Sequence, residues 1–78
     1  MALTVRYFAA LRAATGIDDE SVALVGDPLA LYRQLQQRYG WRFDPGVVRV
    51  AVNGALVDWT RVLADGDEVV FLPPFSGG

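Results

Sequence analysis

One stretch of this chain carries the period of a helix and the marks of both its ends. Gly26-Asp27-Pro28 opens it. Asp27 stands where a side-chain oxygen can accept a bond from the first free N–H groups, and Pro28 occupies the first helical position, where an N–H would have no partner. Leu29, Tyr32, Leu35 and Tyr39, with Leu31 beside them, form an apolar stripe; Arg33, Gln34, Gln37 and Arg38 face water. Gly40 closes the segment, and Arg38 in the last turn suits the negative end of the helix dipole. A helix of this kind must bury its stripe on another element, and most of the remaining chain reads as strands.

Leu3 to Phe8 alternates, with Leu3, Val5 and Tyr7 on one face and Thr4, Arg6 and Phe8 on the other. Ala9 to Thr15 is Ala-rich and ends at Gly16, which predicts a short helical turn. Asp18, Asp19 and Glu20 read as a solvated bend, and Ser21 to Val25 as a second strand with Val22 and Leu24 on one side. Trp41 to Gly46 reads as a loop holding the turn Asp44-Pro45-Gly46. Val47 to Val52 is the most strand-like run, and Asn53-Gly54 suits a tight hairpin into a short return strand at Leu56 and Val57. Glu68 to Leu72 is the last strand, stopped by Pro73-Pro74, which have no N–H for a ladder.

This order predicts an α+β fold, a β-grasp: a mixed sheet of about five strands packed on one main helix. The domain is expected to cover 1–74, with 75–78 as a flexible C-terminal tail. The expected core is Leu3, Val5, Val22, Leu24, Leu29, Tyr32, Leu35, Val50, Val52, Leu63, Val69 and Phe71. A chain of 78 residues permits one domain, and a hydrophobic fraction of 53% supplies a core without staples.

Composition narrows the chemistry. All seven basic residues are arginine, and the chain has no Lys, His or Cys. That removes the near-neutral proton shuttle, the Schiff-base amine, the thiolate nucleophile and the usual zinc ligands. If the protein takes part in catalysis, the reactive side chains are expected on a partner. A net charge of −2 argues against a nucleic-acid partner. No apolar run approaches the roughly 20 residues of a membrane span, and the expected location is cytoplasmic.

The most informative segment is the end, Phe75-Ser76-Gly77-Gly78. An α-carboxylate is ionised at pH 7 and is a poor electrophile until activated, for example as an acyl-adenylate. Glycines lacking Cβ let such a group thread a narrow channel. The six residues from Pro73 to Gly78 extend about 20 Å, enough to enter another protein's pocket. Pro73 and Pro74 would stiffen the exit, and Phe75 beyond them reads as an anchor for a partner. On the sheet face away from the helix, Phe8, Ala51, Val70 and Leu72 form an apolar centre rimmed by Arg6 and Arg49, the make-up of a docking patch. The run Leu63-Ala64-Asp65-Gly66-Asp67-Glu68 lacks the ligand spacing of a calcium loop and reads as a carboxylate-bonded turn; no metal site is expected.

Val52-Asn53-Gly54, Leu63-Ala64-Asp65-Gly66-Asp67-Glu68-Val69 and Phe71-Leu72-Pro73-Pro74-Phe75-Ser76-Gly77-Gly78 together resemble the small subunit of molybdopterin synthase. Tyr7-Phe8-Ala9-Ala10-Leu11-Arg12, with Gly16 after it, is similar to that family's first strand and short helix. The resemblance implies a ubiquitin-like sulfur carrier. An E1-like activating enzyme, using ATP and Mg, would adenylate Gly78, and a sulfurtransferase would supply sulfur for a thiocarboxylate. The tail would then enter the large subunit and donate sulfur to a cyclic pyranopterin monophosphate during molybdenum cofactor synthesis. Two small and two large subunits are implied, with the catalytic side chains on the large one and no cofactor bound by this chain. By the same carry-over Gly77 gives clearance, while Arg6, Phe8, Arg49, Ala51, Val70, Leu72, Pro73, Pro74, Phe75 and Ser76 meet partners.

Three rival functions use the same fold. Sulfur carriers for thiamine or cysteine synthesis also end in Gly-Gly. A ubiquitin-like modifier would pass its activated end to lysines of targets. A β-grasp interaction module would leave its terminus inert.

Overall fold

Alternation at the N-terminus and at the last strand builds the centre of the sheet. The computed structural model describes residues 1–74. Its elements are β1 (Ala2–Arg6), α1 (Ala9–Thr15), β2 (Asp19–Ala23), α2 (Pro28–Tyr39), a 3-10 turn (Pro45–Val47), β3 (Arg49–Val52), β4 (Ala55–Val57) and β5 (Glu68–Leu72). The strands form one mixed sheet in the order β2-β1-β5-β3-β4. β1 and β5 run parallel at its centre, and the other pairs are antiparallel. This is the expected β-grasp, with the Gly-Gly end outside the described residues.

The helix signals act as read. Asp27 accepts a 2.9 Å bond from the Ala30 N–H, Pro28 is the first helical residue, and Gly40 closes α2 in the left-handed region at φ +69°. Gly16 closes α1 likewise at φ +76°. In the hairpin, Asn53 and Gly54 both have positive φ, +52° and +86°, as a tight turn of matching twist requires.

Several expectations change. β1 ends at Arg6, and Phe8 becomes the extended residue that leads into α1. The Tyr7 N–H donates to the Asp18 carbonyl at 2.8 Å, in register with the β1–β2 ladder and one residue beyond it. Asp19 and Glu20 are not a bend: they begin β2, paired with Arg6 and Val5, and the strand stops at Ala23 rather than Val25. β3 starts at Arg49, because Pro45 to Val47 form the 3-10 turn.

The helix face is also rotated from the expected one. Leu31, Tyr32 and Leu35 are buried, whereas Leu29 is only half-buried, and Leu24 packs at the margin of the core. Tyr7, Leu11, Trp41 and Val48 join the core instead. Its centre is aromatic. Phe71 stacks on Trp59 at 5.8 Å and meets the edge of Tyr32 at 5.1 Å, while Trp41 lies against Tyr32, Tyr39 and Tyr7.

Candidate functional site

The register of the sheet sets out the face away from α2. Asp19 lies opposite Arg6, Arg6 opposite Val70, Val70 opposite Ala51, and Ala51 opposite Leu56. Opposed residues project to the same side, so this row crosses all five strands. Leu72 lies opposite Arg49 at the end of β5. Leu56 is 60% exposed, Phe8 49% and Leu72 40%, while Ala51 and Val70 are half-buried between their neighbours.

Sequence reading missed Leu56 as a member of this face. A signal was there: a two-residue turn at Asn53-Gly54 pairs Val52 with Ala55, and that pairing sets Leu56 against Ala51. Polar groups rim the apolar strip. Arg6 reaches Glu68 at 3.9 Å, and Phe8 shares a cleft of about 260 Å³ with Arg6, Arg12, Asp18 and Asp19. Arg49 is exposed beside Leu72. Pro73, half-buried, and Pro74, exposed, leave the middle of the sheet from β5 at this same end. Phe75, Ser76, Gly77 and Gly78 lie outside the described residues.

Two carboxylate clusters brace the sheet rather than line a reaction site. In the turn before β5, Asp67 accepts bonds from the Ala64 N–H and the Asn53 side-chain amide, each at 2.9 Å, with Arg61 at 3.5 Å. The backbone bond from Ala64 leads in holding the Asp67 carboxyl below its ordinary pKa, followed by that from Asn53. Asn53 also accepts from the Glu68 N–H at 2.9 Å, which ties the hairpin turn to the start of β5. The carboxylate-bonded turn read from the sequence is therefore present. Among the described residues, no three His, Cys, Asp or Glu side chains gather around a common point as metal ligands would.

The second cluster corrects the reading of Glu20 as a solvated residue. One of its oxygens accepts the hydroxyls of both Tyr7 and Tyr39 at 2.6 Å, and the other faces Arg38 at 3.6 Å. Burial, then the bond to Glu20, pushes the Tyr7 hydroxyl far above its ordinary range; for Tyr39 the bond to Glu20 comes first. Edge strand β2 is thereby held to the C-terminal end of α2.

The site thus consists of an apolar strip with charged margins, next to the strand end from which the Gly-Gly segment continues. A ThiS family model matches residues 5–78, both glycines included. The chain belongs to the ThiS family. It is 35% identical over 80 residues to the molybdopterin synthase sulfur carrier subunit of Escherichia coli K12, an alignment covering 97% of this chain and 99% of that relative.

Solved structures share this fold. One is a protein–protein complex of subunits 1 and 2 of the molybdopterin-converting factor from Helicobacter pylori. The matching chain is 30% identical with a TM-score of 0.71, and all of both chains is covered. The small archaeal modifier protein 1 from Methanosarcina acetivorans gives a TM-score of 0.80 at 24% identity over 99% of this chain and 96% of that one, a likeness in fold alone. The architecture is the ubiquitin-like β-grasp. No helix among the described residues is long and apolar enough to cross a membrane.

Proposed function

We propose that this ThiS-family chain is the sulfur carrier subunit of a molybdopterin synthase, with Gly78 as its working residue. The observation that carries the reading is the end-to-end likeness to the E. coli carrier subunit, 35% identical across 97% of the chain. The fold supports it by ending β5 in the middle of the sheet, beside an apolar face with charged margins.

The chemistry follows from the tail. The Gly78 carboxylate attacks the α-phosphate of ATP on an activating enzyme, and pyrophosphate leaves. A persulfide on a sulfurtransferase then attacks the acyl carbon and AMP leaves. A thiol next attacks the sulfurtransferase sulfur of the resulting acyl disulfide, forming a new disulfide there and releasing the tail as a thiocarboxylate. Its sulfur next attacks the pyranopterin precursor within a large subunit, and water then cleaves the acyl carbon–sulfur bond, leaving the sulfur on the pterin and returning Gly78 as a carboxylate. Phe8, Leu56, Val70 and Leu72 supply apolar contact to these partners, Ala51 lets them approach closely, and Arg6 and Arg49 fix register by charge. Pro73, Pro74, Phe75 and Ser76 guide the tail, and Gly77 gives it clearance. Groups that move protons come from the large subunit, in keeping with a chain that has no His, Lys or Cys.

Intact mass tests this reading. After co-expression with an activating enzyme and a sulfurtransferase, the chain gains the mass difference of one oxygen exchanged for sulfur. Adding large subunit and precursor then yields molybdopterin. Deleting Gly78 abolishes both results and leaves cooperative unfolding unchanged. A wild-type chain that stays at its unmodified mass, while a known carrier is converted alongside, defeats the proposal. Thiolation with no transfer to the pyranopterin would instead direct the carrier to thiamine or cysteine synthesis.

A further inference from the structure

Because β1 and β5 are parallel neighbours, the chain enters the sheet at one end and leaves it at the other. Thr4 lies opposite Glu68 and Arg6 opposite Val70. Along the strands the level of Met1 and that of Leu72 are therefore about 23 Å apart, at about 3.3 Å per residue. The α-amine at Met1 stands at the far end of the sheet from the exit.

Cations do stand near the exit. Arg49 is opposite Leu72, and Arg6 is opposite Val70. A lysine would carry the same charge at either position, but its amine loses a proton with a pKa of about 10.4 and becomes a nucleophile. A guanidinium stays protonated and delocalised. Opposed backbones are about 5 Å apart, whereas the contour of Pro73 to Gly78 is about 20 Å. An amine at position 49 would thus lie within reach of the last carbonyl.

We propose that Arg49, with Arg6 on the other side of β5, holds positive charge at the tail's exit in a form that cannot capture the activated C-terminus, so the chain donates without acylating itself. The inference rests on the reading of Gly78 as the activated carboxylate. In the reaction that is avoided, an ε-amine nitrogen attacks the Gly78 carbonyl carbon. A C–N bond forms, the bond to the adenylate oxygen or thioester sulfur breaks, and the leaving group departs with the electron pair. The ammonium proton passes to water, and nothing is oxidised or reduced.

The test uses the full chain carrying a C-terminal thioester, released from an intein fusion by a small thiol, so no activating enzyme is needed. At about 10 μM protein and mildly alkaline pH, the wild-type thioester is expected to hydrolyse to the free acid. Arg49→Lys is expected to form instead a branched ring one water lighter than the free acid. Tethering supplies an amine at roughly millimolar effective concentration, so ring closure should outrun reaction between molecules by about 100-fold. Arg61→Lys, a lysine beside Asp67 at the opposite end of β5, should close several-fold more slowly.

Hydrolysis of Arg49→Lys at the wild-type rate without a ring overturns the proposal, as does internal acylation of the wild-type chain. Equal ring closure at positions 49 and 61 removes the assignment to the exit. Failure of activating enzymes to adenylate wild-type Gly78 would strike the underlying reading alone, since the thioester result does not depend on it.

Discussion

The two faces of the sheet are made by the same strands, one residue out of step, and do different work. On the inner face Leu3, Val5, Val50, Val52, Val69 and Phe71 are buried under α2 and the aromatic cluster. On the outer face Leu56, Leu72 and Phe8 keep 40–60% of their surface in water, among arginines and carboxylates. The inner face already buries its apolar surface, so its contribution is stability. The outer face retains apolar surface that no described residue covers, the make-up of a docking surface. A chain of this size has little surface to spare, and the docking role proposed for the back of the core strands would tie the spacing of its contacts to the most rigid part of the fold.

Substitutions that break this division should fall in a clear order. Phe71→Ala removes a ring packed between Trp59 and Tyr32, and should cost about 3–5 kcal/mol in a urea unfolding curve. A loss below about 1 kcal/mol would mean that the inner face is not the main source of stability.

Next comes the Glu20 brace at the sheet's edge. Tyr7→Phe leaves the carboxylate with one hydroxyl donor instead of two and should cost about 1.5–3 kcal/mol near neutral pH. Its pH dependence is separable. Because folding raises the Tyr7 and Tyr39 pKa values, their contribution is fully present below about pH 10, where an unfolded tyrosine ionises, and is lost as pH rises beyond it. Tyr7→Phe should therefore show a shallower alkaline loss of stability than wild type; parallel curves would remove Tyr7 as the cause.

The smallest effect on stability belongs to the outer face. Leu56→Asp and Phe8→Asp should change it by less than about 0.5 kcal/mol while weakening a large-subunit complex roughly tenfold in titration calorimetry. Unchanged affinity in both variants would leave the outer face without its assigned role.

What could be read from the sequence follows from the range of the forces involved. Asp27, Pro28, Gly40 and Gly16 act within a turn of their own position, so both helices are found with their observed bounds. Glu68 to Leu72 is likewise as read, since alternation and two prolines define it locally. Glu20 defeats local reading because its partners Tyr7 and Tyr39 are 13 and 19 residues away, and an acidic triplet without them resembles a solvated bend. The exchange of Leu29 for Leu31 on the buried side is of the same kind. The periodicity of α2 gives a stripe, and the elements packed against it decide which flank of that stripe is covered. At the candidate site, Arg6, Phe8, Arg49, Ala51, Val70 and Leu72 share the outer face as alternation places them, while Leu56 needed the hairpin register as well.

The central position of β5 has a mechanical consequence. Under the proposed function the end enters an enzyme and must later be withdrawn, and the pull would pass along β5. That strand is bonded on both sides, to β1 in parallel and to β3 in antiparallel sense. A load along its axis is taken up in shear by both ladders at once, whereas a terminal strand at the edge would unzip one bond after another. Extraction from a tight tunnel should therefore break the grip of the partner before it breaks the fold of the carrier.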